Sequence, residues 1–323
     1  MYETFFGLTE RPFDLTPNPK YLFLTPSHRE ALSNLGYGIS ARTGVTVLVG
    51  EAGTGKTTLI RATLEARDVR KTRVIYLNNP TLTRSEFLEF ISAEFQLPPG
   101  AASSKTQLLS SLQTVLVDLH ANDVTPAFII DEAQSLPHEL LEEIRLLANI
   151  ETTSEKLLPI VLAGQPELAD RLNHPTLRQL KQRVGLRCEL RQLDVRETGA
   201  YITSRVAVAG GNASQLFTRE AVMMIYQRSQ GIPRIISVIC HNALIGAFAL
   251  NEKTVRADTV LEVCRDFDLK NPSLLKGAST VSGDGEFVVR DAPRAGRPMS
   301  VVETAREDAL AGSARPKRWF SVF

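Results

Sequence analysis

The chain has 323 residues, 43% of them apolar, and 37 Lys and Arg against 36 Asp and Glu, for a formal net charge of +1. That length and apolar share suit one large or two modest soluble domains with real cores, and the charge balance excludes a generally basic polyanion binder, leaving only local basic patches. Three widely spaced cysteines, Cys188, Cys240 and Cys264, exclude metal-ligand and redox spacings and fit reduced thiols in a cytoplasmic protein, while the acidic and aromatic residues after Met1 read against a secretory leader.

Residues 1–26 carry Pro12, Pro17, Pro19 and Pro26 among Phe5, Phe6, Phe13, Tyr21 and Phe23. Prolines at this spacing forbid a regular helix, so an extended arm is expected, lying along the domain or a neighbouring subunit. Ser27, with Glu30 three residues on, reads as an N-cap and capping box for a helix to about Ala41.

An apolar strand follows at 45–49, then Gly50-Glu51-Ala52-Gly53-Thr54-Gly55-Lys56-Thr57, then a helix from Thr58 to Ala66. This matches a P-loop at every fixed position. The glycines let backbone N–H groups turn inward onto phosphate oxygens, Lys56 neutralises the β- and γ-phosphates, the Thr57 hydroxyl is placed to ligate Mg²⁺, and the helix N-terminus faces the phosphates. An ordinary Gly-rich turn would need neither the lysine nor the strand–loop–helix context.

Further strands are expected at 74–77, 127–130, 158–162 and 185–190, with helices at 84–95, 105–120 and 137–149 between them. Strands alternating with helices predict an α/β fold with a five-stranded parallel, doubly wound sheet, whose ligand crevice lies at the strand carboxyl ends. Asp131 and Glu132 fall at the end of the third strand. Asp131 is expected to hold Mg²⁺ through water and Glu132 to polarise the attacking water, because phosphoryl transfer depends on positioning and charge stabilisation. The blander alternative, an acidic pair capping the next helix, leaves two charges at the end of a buried strand without a cation.

After Leu190 the pattern is helical, at 195–209, 219–229, 233–250 and 258–267, predicting a small all-helical lid. The longest apolar stretch, 235–250, is broken by Ser237, His241 and Asn242 and reads as a buried helix instead of a membrane span. From about residue 270 the composition turns Ser-, Gly-, Pro- and Arg-rich, the signature of a disordered tail. Its last nine residues, from Arg315 to Phe323, mix three cations with three aromatics: a frayed end, or a docking motif for a partner or an anionic lipid surface.

Taken together, the strand between the P-loop strand and the acidic strand, the polar residue ending the fourth strand and the helical lid resemble the AAA+ ATPases over residues 27–268. That resemblance implies ATP and Mg²⁺ as ligands, with Gly50 to Thr58 forming the phosphate cradle. It implies a first-sensor role for Gln165, where Asn or Thr is commoner, and a second-sensor role for Arg234 of Gly231-Ile232-Pro233-Arg234. It also implies an arginine that completes a neighbouring subunit's site in a homo-oligomer. Arg178 and Arg183 are the candidates, and Arg183, just before the fifth strand, is preferred.

The N-terminal phrases Phe5-Phe6-Gly7-Leu8, Pro12-Phe13, Thr16-Pro17-Asn18-Pro19, Tyr21-Leu22-Phe23-Leu24 and Ser27-His28-Arg29-Glu30-Ala31-Leu32 narrow the match. With Ser229 to Arg234 and Cys240, they resemble the ExeA/GspA-type secretion ATPases. The resemblance places His28 near the adenine. Members of the ExeA type continue into a membrane span and a peptidoglycan-binding domain, and this chain ends in a polar tail, so the exosortase- or exopolysaccharide-associated branch is the closer fit. The expected function is Mg²⁺-dependent ATP hydrolysis in assembly of a cell-envelope export system, in the cytoplasm or peripheral to the inner membrane. Two alternatives remain: a DNA-binding transposition regulator of the MuB/TniB kind, favoured by the basic runs at 67–73 and 178–191, and an ATP-gated scaffold with little turnover.

Overall fold

The computed structural model describes residues 1–16, 18–66, 71–78 and 81–269. The expected disordered tail with its terminal basic-aromatic segment, and most of the basic run at 67–73, lie outside the described residues.

Five strands, β1 (Val45–Gly50), β2 (Thr72–Leu77), β3 (Thr125–Ile130), β4 (Ile160–Gly164) and β5 (Val184–Leu190), form one sheet in the order β2-β3-β4-β1-β5. Every pairing is parallel. The central strands β1, β3 and β4 read as near-continuous apolar runs because they are covered on both faces, whereas the edge strands carry charges, Arg73 in β2 and Arg187 and Glu189 in β5. Val45, Val47 and Val49, with Phe128, Ile130, Ile160 and Leu162, face a core completed by helices Arg84–Glu94, Lys105–Ala121, His138–Leu147 and Pro166–Asn173. Leu48, Ala127, Ile129, Val161 and Ala163 point the other way, onto helices Pro26–Ser40 and Lys56–Glu65. The alternation is the period-two geometry of a strand.

Several expectations are corrected. The N-cap of Pro26–Ser40 is Thr25, not Ser27: Thr25 is extended, its hydroxyl accepts from the His28 N–H, and Pro26 takes the first helical position. Proline there loses no helical hydrogen bond and has its φ preset, which moves the helix start two residues upstream of the Ser-x-x-Glu signal. The fourth strand begins at Ile160 instead of 158, because Pro159 cannot donate to the ladder and serves only as acceptor for the Phe128 N–H. Two helices missed in the sequence, Pro166–Asn173 and Arg178–Lys181, connect β4 to β5.

The arm is not wholly extended, since Tyr2–Phe5 is a helical turn and Pro19–Tyr21 a 3₁₀ turn. It shares a core with the C-terminal helices: Tyr2, Leu8 and Phe13 are buried with Tyr201, Ile202, Val206, Phe217, Ile236 and Leu244. Helices Val195–Val208, Arg219–Ser229, Pro233–Ala249 and Ala257–Asp266 supply most of the rest of that cluster. The first is opened by a full capping box between Asp194 and Glu197.

This helical lid is joined to the sheet through residues after β5, and Gly231 fixes the joint. Gly231 has φ +70, the Leu193 N–H donates to its carbonyl at 2.9 Å, and a Cβ there would stand 1.9 Å from the Leu193 carbonyl oxygen. Gly231→Ala is therefore expected to lower stability by about 1–3 kcal/mol, through overpacking combined with a left-handed backbone. A thermal melt beside that of Gly246→Ala, where a Cβ meets only Thr259 Cγ2 at 3.4 Å, checks it.

Candidate functional site

Because all five strands run parallel, their carboxyl ends share one rim, and the chemistry-bearing residues converge there. β1 ends at Gly50 and the loop turns through Gly55, at φ +101, into helix Lys56–Glu65, whose first turn has no side-chain cap. Uncapped N–H groups at a helix start are an anion site by construction. The Lys56 ammonium donates to the carbonyls of Gly50 at 2.8 Å and Glu51 at 3.1 Å, which curls the loop around it. Burial pulls the Lys56 pKa below its ordinary value, opposed by the charges of Glu132 and Asp131.

Asp131 stands two strands away at the end of β3, about 10 Å across the sheet by strand spacing. Its carboxylate nevertheless meets the loop: the Thr57 hydroxyl donates to Asp131 Oδ2 at 2.7 Å, Tyr76 donates to the same oxygen at 2.9 Å, and the Glu132 N–H donates to Oδ1 at 3.0 Å. Tyr76, at the end of β2, was missed in the sequence, where a tyrosine in an apolar strand reads as core. Burial, then the Asp131 charge, push its hydroxyl well above the ordinary tyrosine range, so it serves as a fixed donor.

Glu132 adopts φ 53, ψ 35, an uncommon conformation for a non-glycine residue, and enters a 3₁₀ turn instead of capping His138–Leu147. Gln134 Nε2 donates to Glu132 Oε2 at 2.6 Å, and Gln165 Nε2 reaches the same oxygen at 3.5 Å. Gln134 Oε1 in turn accepts from the Gln165 N–H at 3.0 Å. Gln134 is thus a third residue of this cluster; its place directly after the acidic pair and Ala133 was the available signal.

The lid closes the site from above. The Arg234 N–H donates to the Gly53 carbonyl at 3.2 Å, and the start of its side chain packs on Gly53. The rest of Arg234 is exposed, with no carboxylate partner among the described residues. His28 bridges Thr25 Oγ1 through Nδ1 at 2.7 Å and the Thr54 carbonyl through Nε2 at 3.1 Å, and burial lowers its pKa, which favours the neutral ring. These residues enclose a cavity of about 380 Å³. Its walls are Ala52 to Thr58, His28 and Glu132 from the sheet side, Leu15, Tyr21 and Phe23 from the arm, and Tyr201, Arg234 and Ser237 from the lid. The arm's part in this wall was not foreseen.

Arg183 is elsewhere. It precedes β5 and its carbonyl accepts from the Val45 N–H, so it marks the amino rim of the sheet. Six residues of strand separate that rim from Gly50, about 20 Å at the rise of a β-strand. Arg178, exposed on helix Arg178–Lys181, lies in the same connection.

A family model described as an AAA domain matches residues 40–172. The General secretion pathway protein A of Aeromonas hydrophila is 42% identical over 262 residues, covering 81% of this chain. The chain belongs to the ExeA/GspA-type AAA+ ATPases. It spans 48% of the length of that relative. Among solved structures, the ORC2 protein of Aeropyrum pernix in ADPNP–ADP complexes superposes with a TM-score of 0.58 at 20% identity, covering 80% of this chain and 71% of that one. Cdc6p of Pyrobaculum aerophilum gives 0.57 at 17% identity, with 82% and 70% covered. These two share the fold.

If Lys56 holds phosphate as the P-loop pattern leads one to expect, Lys56→Ala removes an ammonium whose charge-assisted hydrogen bonds contribute about 1.5–3 kcal/mol each. Two such bonds to phosphate make an expected loss of ~100-fold or more in ATP affinity, read by titration with a fluorescent nucleotide.

Proposed function

We propose that this chain hydrolyses ATP with Mg²⁺ and uses the cycle to drive or switch assembly of a cell-envelope export system. The observation that carries the proposal is the convergence of Lys56, the Thr57–Asp131 contact, Glu132 and Arg234 on one cavity at the carboxyl rim of the sheet. Thr57 Oγ1 and Asp131 Oδ2, 2.7 Å apart, are hard oxygen donors of the kind Mg²⁺ takes, directly from the hydroxyl and through water from the carboxylate. Thr57 and Asp131 would hold Mg²⁺ there, and the ion would supply charge neutralisation for the phosphates.

In this reading Glu132 accepts the proton of the attacking water, and Gln134 and Gln165 hold its carboxylate in place. Lys56 and Arg234 neutralise charge on the transferred phosphoryl group, one from the loop and one from the lid, so lid position and hydrolysis are coupled. Arg183 acts in trans, from the amino rim of a neighbouring subunit in a homo-oligomer. His28 holds the loop through Thr54 and borders the base.

The likeness to General secretion pathway protein A supports the export setting, and an inner-membrane protein partner rests on the sequence resemblance. Among the described residues no helix is long and apolar enough to cross a membrane; the cytoplasmic or peripheral placement in this proposal rests on the sequence resemblance. The exosortase or exopolysaccharide setting is the finer form of the proposal and rests on the sequence resemblance.

Steady-state hydrolysis, read together with particle size by light scattering and with and without DNA, tests the reading. Mg²⁺-dependent turnover that rises with protein concentration and ignores DNA is expected. Strong stimulation by DNA would move the chain to the transposition-regulator class, and tight ATP binding without turnover in any oligomeric state would leave a scaffold.

A further inference from the structure

Arg205 is a buried cation, 9% exposed, and among the described residues no carboxylate pairs with it. Removing a charge from water without an acidic partner is costly, and an apolar side chain of the same size would avoid the cost. What Arg205 has instead is the arm. Its Nε donates to the Pro12 carbonyl at 2.6 Å, Nη2 to the Asp14 carbonyl at 3.2 Å, and Nη1 to the Tyr201 hydroxyl at 2.6 Å. The rings of Tyr21, from the arm, and Tyr201, from the lid, lie 4.8 Å and 5.4 Å from the guanidinium carbon. The fork of an arginine suits two diverging carbonyls and a hydroxyl, which a lysine cannot hold together.

Arg205 also borders the cavity, and Leu15 and Thr16, directly after the carbonyl it holds, form part of the cavity wall. The Pro19–Tyr21 turn lies close to helix Lys56–Glu65 as well as to Val195–Val208, but the arm's other side-chain hydrogen bonds and ring contacts outside itself are made with the lid. Tyr2 bonds His241, Lys253 donates to the Phe5 carbonyl, Thr9 bonds the Ala209 carbonyl twice, and Phe23 stacks edge-on against Tyr201. The hydrogen bonds to the P-loop begin only with His28.

We propose that Arg205 is a positioning residue that makes the arm part of the lid, so that arm and lid open and close over the nucleotide as one body. The proposal rests on the nucleotide reading of the cavity. The lid unit is then tied to the sheet by two chain crossings, one between Phe23 and Thr25 and one between Leu190 and Leu193. Arg205 acts on nucleotide retention through Leu15, Thr16 and Tyr21, without taking part in the chemistry.

The test is nucleotide release from the full chain, by stopped-flow with a fluorescent ADP, for wild type, Arg205→Lys and Arg205→Met. Release and KM are expected to rise about tenfold in Arg205→Met with kcat within roughly twofold, and by less in Arg205→Lys. A rescue separates positioning from general loosening. Thr9 Cβ is 3.9 Å from where a Cβ on Gly210 would stand, within the range of a disulfide, and because Gly210 has φ +81 the reduced double cysteine variant carries the same backbone strain as the oxidised one. In Arg205→Met carrying Thr9→Cys and Gly210→Cys, oxidation should return release towards the wild-type rate, with the reduced protein as reference. Tyr201→Phe, which keeps both rings and removes one acceptor, takes the same assay where Arg205→Met does not fold.

Unchanged release in a variant whose arm has become protease-sensitive, or a cross-link that rescues nothing, overturns the proposal. Should wild type bind no nucleotide at all, the nucleotide reading fails on its own. Amide exchange of residues 8–16 then still reports on the device: faster exchange in Arg205→Met together with the lid helices supports it, and exchange confined to the arm refutes it.

Discussion

Glu132→Gln is expected to cut ATP turnover by about 10²–10⁴-fold while leaving ATP affinity within a few-fold of wild type, because under the proposed function it removes the general base and keeps the shape of the side chain. The structure makes this split sharp. Gln134 and Gln165 converge on one carboxylate oxygen of Glu132, whereas the contacts expected to hold phosphate come from Lys56 and the first turn of its helix. A glutamine keeps an oxygen for those amides but cannot accept a proton from water. Turnover and nucleotide affinity measured on the same preparation decide it. Equal losses in both would mean that Glu132 shapes the binding site and that the base is another residue.

Arg183→Ala is expected to lower turnover by ~10³-fold under the proposal that it completes a neighbour's site. At about 20 Å from Gly50, on the opposite rim of its own sheet, Arg183 cannot act on its own subunit's phosphates. Mixing subunits tests this directly. A Glu132→Gln subunit lacks the base and keeps the arginine, and an Arg183→Ala subunit has the reverse. Mixed oligomers should regain activity that neither variant shows alone, since one kind of junction pairs an intact base with an intact arginine. Arg178→Ala, from the same connection, is the comparison: if it abolishes turnover and Arg183→Ala does not, the trans-acting residue is Arg178.

Much of the α/β core is legible because its signals are local. A strand covered on both faces must be apolar at consecutive positions, and β1, β3 and β4 are. A phosphate cradle needs glycines, a lysine and a hydroxyl at fixed spacing, all within eight residues. The acidic pair follows the third strand at once. The errors fall where two local rules compete or where the partner is distant. Pro26 competes with the Ser27 capping signal and wins, and Pro159 delays β4. Tyr76 carries no local signal of its role because its acceptor, Asp131, is 55 residues away in the chain.

The arm shows the same division. Its prolines and aromatics say that it cannot be a long helix and must bury its rings somewhere. They do not say on what. That choice is made by side chains some two hundred residues away, Arg205, Tyr201, His241 and Lys253, which supply donors and rings for an arm with no sheet or long helix of its own.

By itself, then, the sequence determined the parallel α/β class, the phosphate loop and the two acids, because each depends on residue types at short spacing and on the periodicity of the backbone. Tertiary structure alone decided which rim Arg183 occupies, that Gln134 and Tyr76 join the site, and that arm and lid together wall the cavity. Those are contacts across tens to hundreds of residues, set by strand order and by which buried donors find acceptors, and no local pattern encodes them.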